Sequence, residues 1–358
     1  MNLSYMTISS IRGSSALGGI SARSDYFKPV DELWWMGKEF DEVRKVKLSI
    51  VATLYKSAQY IGEFCSRAGA AATKLVGDDY EIILVNDGSP DESLNVAKNI
   101  ANLDLHVCVV DLSKNFGHHK AMMTGLQQAT GERIFLIDSD LEEEPEWLNL
   151  FAECMAVHQC DVVYGVQEAR KGGLAERVSG PIFYRAFRLL TGISQPDNIV
   201  TARLMTNQYV TELLRHEERE LNIGGLWLIT GFDQRALSIV KKATSPTTYS
   251  LRGKLSHFVN AVTSFSSLPL VFTFYVGGIV SITALLFIAY LVVRYSLGAA
   301  PPMGYTSIVA SIWLFSGLII FFIGVQGIYI SKIFTEVKRR PYTIIRSIYR
   351  AEREGSSK

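Results

Sequence analysis

The chain has 358 residues, of which 48% are apolar and 20% are charged, and its formal net charge is +1. This composition excludes a disordered protein, a collagen-like fibre and a small disulfide-stabilised fold, and the balanced charge argues against a dedicated nucleic-acid binder. The mean hydropathy of +0.16 is high for a soluble enzyme, so concentrated apolar segments are expected. The four cysteines form no CxxC pair, which is typical of free thiols in a reducing compartment.

Residues 1–45 form an N-terminal extension rich in Ser and Gly, to which the sequence assigns no chemistry. Residues 46–250 then alternate between short apolar runs and segments of helical period. The expected strands are 46–54, 80–85, 105–110, 133–137 and 161–166, and the expected helices are 58–72, 93–101, 118–129 and 146–158. This alternation predicts an α/β domain with a mainly parallel sheet and helices on both faces. In such sheets the ligand binds beyond the carboxyl ends of the strands.

An acidic turn, Asn86-Asp87-Gly88-Ser89-Pro90-Asp91, directly follows the second expected strand. Gly88 and Pro90 favour a turn, and Asp91 is well placed to cap the next helix. Asp87 is different, because an acid at the end of a buried strand requires a partner. Asp87 is therefore a candidate site residue.

A second acidic segment, Asp138-Ser139-Asp140, follows the fourth expected strand. In an extended segment residues i and i+2 point to the same side, so Asp138 and Asp140 are expected to converge on one hard cation. Mg²⁺ or Mn²⁺ prefers a couple of carboxylates together with substrate phosphates. Three further acids are interpreted as the first turn of the next helix, where the helix dipole favours negative charge: Glu143, Glu144 and Glu146.

Two uncharged apolar stretches, 268–293 and 306–331, lie near the C-terminus. Each exceeds the ~20 residues that a helix needs to cross ~30 Å of hydrocarbon, so a hairpin of two transmembrane helices is expected. Residues 294–305 contain two prolines and two glycines, which predicts a tight external turn. Basic residues precede the first stretch and follow the second, whereas the turn between them contains one. The positive-inside rule therefore places the catalytic domain and both termini in the cytoplasm.

Two amphipathic segments border this hairpin. Apolar residues recur at helical spacing in residues 251–267 and again in the basic tail, residues 332–358. Those in the tail are Ile344, Ile345, Ile348 and Tyr349. Amphipathic helices with a basic polar face lie in the membrane interface, and packing on the catalytic domain is the alternative.

These motifs together resemble the family 2 glycosyltransferases of the polyprenyl-phosphate type. The matching blocks are SIVATLYK (49–56), NDGSPD (86–91), SKNFGHHKAMMTGL (113–126), DSDLEEEPE (138–146), FYR (183–185), RLM (203–205), TSFSSLPL (263–270) and GVQGIYISKIFTEVKRRP (324–341). The last two blocks resemble those that join the family's catalytic domain to a paired-span membrane anchor. The resemblance covers residues 47–350.

The resemblance implies a glycosyltransferase-A-like fold that moves one sugar, with inversion, from a nucleotide-sugar donor to an undecaprenyl or dolichyl phosphate at the cytoplasmic membrane face. It also implies Mg²⁺ or Mn²⁺ as cofactor, a bacterial inner-membrane location and a homo-oligomer. The implied catalytic residues are Asp138 and Asp140, and the implied metal ligands are Asp138, Asp140 and Glu142. The implied nucleotide contacts are Thr53, Tyr55, Asp87 and Asp138. The implied phosphate and acceptor contacts are Arg170, Arg185, Arg203, Lys242 and Tyr249.

The chain departs from the family pattern at several positions. Glu142 stands where the family has Gln, and Thr248 stands where its acceptor block has Lys. Transfer to another membrane acceptor, such as a lipid-linked oligosaccharide, therefore stays open. An inactive membrane scaffold is a further alternative, against which the retained acids at 87, 138 and 140 argue. A structural role at a helix start is the favoured interpretation of His118 and His119.

Overall fold

Strands and helices alternate along the catalytic domain, as the sequence pattern predicts. The computed structural model describes residues 46–167, 189–190, 198–216, 218, 223–241, 259, 262–263, 266–298 and 304–351. Within these residues the strands are β1 (Leu48–Leu54), β2 (Tyr80–Asn86), β3 (Val107–Leu112), β4 (Arg133–Leu136), β5 (Val162–Gln167), β6 (Ile199–Thr206), β7 (Gln234–Ile239) and β8 (Ile345–Arg350). The helices are α1 (Ile61–Val76), α2 (Ser93–Leu103), α3 (His118–Gln128), α4 (Trp147–His158), α5 (Asn207–Leu214), α6 (Ile223–Ile229), α7 (Leu268–Ser296) and α8 (Tyr305–Val337).

The described strands form one eight-stranded mixed sheet in the order β7-β5-β6-β4-β1-β2-β3-β8. β1 pairs in parallel with both β2 and β4, β2 pairs in parallel with β3, and β5 pairs in parallel with β7. Only β6 and β8 run in the opposite direction within this described sheet. The other six strands therefore end on one side of the sheet, which we call the carboxyl edge.

Two apolar cores cover the two faces of the sheet. Alternate residues of β1 point to opposite faces: Ile50 packs in the core that contains Phe64 of α1, whereas Val51 packs in the core that contains Met122 of α3. Every residue of β1 is buried. A parallel strand covered on both faces is recognised by its continuous apolar run, which explains why the sequence predicts this part of the fold well.

The region between β4 and α4 differs from its prediction. β4 ends at Leu136, and residues 139–140 form a turn, so the expected extended segment stops before the second acid. α4 begins at Trp147 and has no acid in its first turn. Glu146 is the N-cap of α4, so it lies at the helix start but not in the first turn, whereas the interpretation of Glu143 and Glu144 as part of that turn is wrong.

The predicted amphipathic helix in the tail is also wrong. Burial alternates residue by residue along β8, which is the period of a strand, and β8 pairs antiparallel with β3. The tail is further joined to the domain by Thr343 Oγ1, which lies 2.8 Å from Thr124 Oγ1. Because β8 covers the otherwise open side of β3, pairing within the sheet outweighs any helical preference of this short segment. The tail thus packs on the catalytic domain.

The two apolar stretches near the C-terminus are long helices that contact each other. Residues Ser311–Val337 of α8 have the length and hydropathy to cross a membrane, and none of this window is buried within the structure. Among the described residues, no other helix meets both criteria, since the apolar segment of α7 that qualifies, Leu268–Val280, is shorter. The helices are confirmed, and the membrane hairpin stays a prediction.

Several expected segments cannot be compared with the structure. Residues 1–45, most of the segment 251–267 and residues 299–303 of the expected external turn lie outside the described residues.

Candidate active site

The two acidic turns of the sequence meet at the carboxyl edge of the sheet. β1 lies between β2 and β4, so the segments that follow these three strands are neighbours. The start of α3, which follows β3, lies against the same segments. This edge is where α/β sheets of this kind bind their ligands.

The carboxylate of Asp87 is held by the backbone that precedes α3. Its Oδ1 accepts a hydrogen bond of 2.7 Å from the Phe116 amide and its Oδ2 one of 3.0 Å from the Gly117 amide. The residue is only 3% exposed. Asp87 therefore has the partner that a buried acid requires, and it fixes the loop that begins α3. Its predicted contact with a nucleotide stays a prediction.

The glycine of the first acidic turn is required by its surroundings. Gly88 has a φ of +57°, and a Cβ atom there would collide with the backbone of Lys114 and Asn115. The turn after β2 and the loop after β3 thus pack backbone to backbone, which only glycine permits without strain.

His118 joins three elements of the site. Its Nδ1 lies 2.9 Å from Thr53 Oγ1, at the end of β1, and its Nε2 lies 3.3 Å from Asp138 Oδ1. Burial alone would lower the pKa of His118, but its pairing with Asp138 raises it. Burial likewise opposes ionisation of Asp138, yet the same pairing lowers the pKa of that carboxyl. The two side chains thus stabilise each other in their charged forms.

The predicted nucleotide contacts on β1 differ in exposure. Thr53 is buried and engaged with His118, whereas the Tyr55 side chain is 49% exposed at the carboxyl edge. Of the two, Tyr55 is thus the side chain open to a ligand.

The turn after β4 has an unusual backbone. Asp140 Oδ1 accepts a 3.0 Å hydrogen bond from the Glu142 amide, and Leu141 between them has a φ of +60°. Left-handed backbone at a non-glycine residue is costly and concentrates at functional sites. Ser139 anchors the turn by donating its hydroxyl to the Thr53 carbonyl at 2.7 Å.

The acids of this turn are incompletely neutralised. Burial and the charges of Asp138 and Glu142 raise the pKa of Asp140. Asp138 Oδ1 is buried, and its 3.3 Å contact with His118 Nε2 is an ion pair that lacks hydrogen-bond geometry. A divalent cation would relieve both conditions, so the two aspartates fit one chemically. Among the described residues, no three His, Cys, Asp or Glu side chains are grouped closely enough to hold a metal ion by themselves.

Two further charged residues complete this side of the site. Glu143 is fully buried, and burial together with the charge of Asp138 raises its pKa to about 8. Its Oε1 accepts a 3.0 Å hydrogen bond from the Thr201 amide. Lys241, two residues after β7, places its Nζ 3.2 Å from Glu142 Oε2 and 3.7 Å from Glu143 Oε1.

Comparison with known proteins identifies the family of this chain. The family model "Glycosyl transferase family 2" matches residues 49–214. A protein of Mycobacterium tuberculosis named "Putative glycosyltransferases" is 48% identical over 315 residues, which are 87% of this chain and 92% of the relative. The chain belongs to glycosyltransferase family 2. The glycosyltransferase YkcC of Bacillus subtilis is 31% identical over 312 residues, which are 86% of this chain and 96% of the relative.

Solved structures show a more distant likeness to this glycosyltransferase. Staphylococcus aureus TarS in complex with UDP-GlcNAc is 17% identical, with a TM-score of 0.42. The match covers 61% of this chain and 66% of the TarS chain. Glucosyl-3-phosphoglycerate synthase of Mycobacterium tuberculosis in complex with UDP is 16% identical, with a TM-score of 0.44. The match covers 61% of this chain and 79% of the synthase chain.

Arg203 of the glycosyltransferase is not where a phosphate ligand is expected. The side chain is 1% exposed and lies over the indole of Trp227, while its Nε donates to the Thr201 carbonyl at 3.2 Å. Burial lowers its pKa to about 9. It follows that Arg203 belongs to the core beneath the carboxyl edge. The other predicted phosphate and acceptor contacts lie outside the described residues: Arg170, Arg185, Lys242 and Tyr249.

Three residues of the glycosyltransferase site, His118, Lys241 and Glu143, were not predicted from sequence to belong to the site. The position of His118 directly after a glycine and a strand was a usable signal, since helix starts at strand ends face the ligand. Lys241 is the neighbour of Lys242, whose predicted phosphate contact lies outside the described residues, and the sequence offered no sign that Lys241 reaches the acidic turn. Glu143 had no signal of its own, because it stands in a run of acids.

Proposed function

We propose that this family 2 glycosyltransferase transfers one sugar from a nucleotide-sugar to a polyprenyl phosphate at the cytoplasmic face of a membrane, with Mg²⁺ or Mn²⁺ as cofactor. The observation that carries the proposal is that one chain combines the acidic Asp138–Glu143 turn, at the carboxyl edge of its sheet, with an apolar helix that the domain leaves uncovered. The acidic turn suits the metal-bound diphosphate of a nucleotide-sugar. The uncovered apolar helix suits an acceptor that is carried in a membrane.

Relatives support the choice of acceptor. Two strains of Pseudomonas have a protein named "Undecaprenyl-phosphate 4-deoxy-4-formamido-L-arabinose transferase", which is 29% identical over 311 residues, 85% of this chain and 91% of the relative. The match extends beyond the catalytic domain, because its 311 residues exceed the length of that domain alone. A polyprenyl phosphate is thus the favoured acceptor here.

Asp138 and Asp140, with Glu142, are the residues that would hold the cation. The two aspartates do not need a third protein acid, because Mg²⁺ usually takes one or two carboxylates and completes its shell with phosphate oxygens and water. When bound, the metal offsets the charge that develops on the leaving nucleoside diphosphate. His118 keeps Asp138 ionised and in place for this task.

The acceptor needs little activation. A phosphate monoester is anionic near neutral pH, so its oxygen attacks the anomeric carbon without prior loss of a proton. We expect a single displacement with inversion and no covalent intermediate. Cations outside the described residues would neutralise the phosphates: Arg170, Arg185 and Lys242, with Tyr249 as a further contact.

The membrane part follows from exposed apolar surface. Trp313, Ile320 and Phe321 of α8 are 78%, 71% and 62% exposed, which is unfavourable in water and favourable in a bilayer. Basic residues follow α8 directly, so we place the tail and the catalytic domain on the cytoplasmic side, in a bacterial inner membrane. Gly317, Gly324 and Gly327 permit close helix contact, and we propose a homo-oligomer.

The test uses the purified full chain, Mg²⁺ or Mn²⁺, undecaprenyl phosphate and a panel of nucleotide-sugars. Mass spectrometry should show the lipid heavier by one sugar, and Asp140→Asn should abolish this product. Asp78→Asn, which removes an exposed carboxylate before β2 at the opposite edge, should retain it.

Two other outcomes would contradict the proposal. Donor hydrolysis without a glycolipid would indicate a different membrane acceptor, such as a lipid-linked oligosaccharide. Neither binding nor turnover of any donor would indicate a membrane scaffold without activity.

A further inference from the structure

The acid that departs from the family block has a cation beside it. Glu142 stands where the family has Gln, and Lys241 Nζ lies 3.2 Å from Glu142 Oε2. Glutamate adds one negative charge relative to glutamine, and the ammonium group cancels it. Glu142 and Lys241 together therefore carry no net charge, as a glutamine at position 142 would by itself.

The pair is sheltered from water. The Glu142 side chain is 14% exposed and that of Lys241 is 22% exposed. Charges in such a setting interact more strongly than the same charges on a surface, and salt screens them less. Lys241 also comes from a distant element, because β7 is separated from β4 by two strands. The contact thus joins the far end of the carboxyl edge to the acidic turn.

Other charged groups surround the pair. Glu143 Oε1 lies 3.7 Å from Lys241 Nζ, and the negative charge of Asp138 is among the causes that raise the pKa of Lys241. The acids of the turn are Asp138, Asp140, Glu142 and Glu143, and their cationic neighbours in the described part of the chain include Lys241, His118 and the buried Arg203, whose charge interacts with Glu143. Loss of the Lys241 charge would make the acidic turn more negative, and the proposed nucleoside diphosphate binds beside this turn.

We propose that Lys241 and Glu142 act as a charge-neutral pair that sets the affinity of the Asp138–Glu142 turn for the divalent cation and for the nucleoside diphosphate. Lys241 is thus a positioning residue that keeps one acid from overcharging the site. The inference rests on the proposed function, since a cation and a nucleoside diphosphate are the ligands concerned.

The pair predicts opposite effects for its two single variants. Lys241→Met removes one positive charge beside Glu142, so Mn²⁺ should bind about tenfold more tightly and UDP without metal about tenfold more weakly, as expected for one charge at this range. Glu142→Gln removes one negative charge beside Lys241, so both affinities should change the other way. The double variant should return both affinities close to wild type.

The experiment measures Mn²⁺ binding by the loss of the free-ion EPR signal, and UDP binding by calorimetry in EDTA, on the full chain in detergent. Lys241→Arg keeps the charge and should behave as wild type, which separates loss of charge from loss of folding. Lys74→Met removes an equal charge from the last turn of α1, next to the start of β2 at the opposite edge, and should change neither affinity.

The outcomes distinguish the pair from the function. Single variants that shift Mn²⁺ affinity in the same direction, or a double variant whose affinities stay far from those of wild type, would overturn the pair and leave the transferase proposal standing. Wild-type protein that binds Mn²⁺ but shows no response to Lys241→Met would also overturn the pair alone. Wild-type protein that binds neither Mn²⁺ nor the nucleoside diphosphate of any donor in the panel would overturn both.

Discussion

The imidazole Nε2 of His118 lies 3.3 Å from Asp138 Oδ1, so one side chain holds the start of α3 against the turn after β4. The other ring nitrogen contacts Thr53 at the end of β1. Any ligand at this edge meets an aspartate whose charge and orientation depend on a neighbouring helix. We therefore expect substitution of His118 to change turnover.

We predict that His118→Ala lowers kcat/KM by about 10- to 100-fold, because an interaction with a charged partner contributes about 1.5–3 kcal/mol. His118→Gln should recover part of this loss, since its amide still offers a donor toward Asp138. Steady-state transfer assays would measure both. Gln127→Ala, on the exposed surface of the same helix, is the control and should match wild type. Equal activity of wild type and His118→Ala would contradict the predicted role.

Asp91 should make stability depend on pH. Burial opposes ionisation of this carboxyl, but hydrogen bonds from Ser89 and Ser93 prevail and lower its pKa to about 2. A pKa below the unfolded value adds stability above that value, and this contribution is lost as the pH falls through the folded pKa. Asp91 precedes the N-cap Glu92 but accepts the Ser93 amide as a capping side chain would, so Asp91→Asn should cost about 1 kcal/mol at pH 7.

The measurement for Asp91 is the unfolding midpoint of wild type and Asp91→Asn between pH 7 and pH 3. The difference between them should narrow as the pH falls. Glu153→Gln, at an exposed position of α4, should show no such narrowing. A difference that stays constant over this range would mean that the ionised carboxylate is not the stabilising form.

Gly88 allows a matched test of backbone packing. Gly88→Ala forces a Cβ against the backbone of Lys114 and Asn115, whereas Gly231→Ala meets open space at a similar φ of +78°. Both variants bear the cost of left-handed backbone, about 1–2 kcal/mol, and only Gly88→Ala bears the collision as well. Chemical unfolding should show the larger loss for Gly88→Ala. Equal losses would mean that the loop after β3 moves aside freely.

Arg346 should secure the tail strand to the sheet. Its Nη1 lies 3.4 Å from the buried Asp111 Oδ2, and its Nη2 donates to the Ser113 carbonyl at 2.6 Å. Arg346→Ala leaves a buried carboxylate without its cation, so we expect a loss of about 1–3 kcal/mol in stability. Hydrogen exchange should accelerate in β8 and β3. The exposed Arg340→Ala is the control, and unchanged exchange in β8 for Arg346→Ala would contradict the prediction.

Local patterns explain what the sequence could predict. The apolar run of β1 and the acidic turn after β2 each depend on neighbours within a few residues, and both are confirmed at the predicted positions. The end of β4 was less accurate, because nothing in the residues themselves shows that the chain turns at Ser139. The convergence of Asp138 and Asp140 was argued from an extended segment, and the structure has a turn there instead.

Long-range pairing explains what the sequence could not predict. In β8, Ile345 and Ile348 are three residues apart, which suits a helix, and only the presence of β3 decides for a strand. Arg203 lies within β6, a strand that was not predicted. Nothing in the neighbouring residues therefore indicated that its side chain is buried. Lys241 reaches Glu142 only because of the order of the strands.

The position of β8 has a consequence for any soluble form of this enzyme. The chain leaves the sheet at β7, passes through α7 and α8, and returns at the opposite margin as β8. A fragment that ends at residue 241 would lose the apolar helices and also expose the backbone donors and acceptors of β3, which invites strand pairing between molecules. A linker that joins β7 to residues 342–351 would have to cross seven strand spacings, roughly 34 Å or at least about ten extended residues, and it would remove the helices and keep the sheet closed on that side.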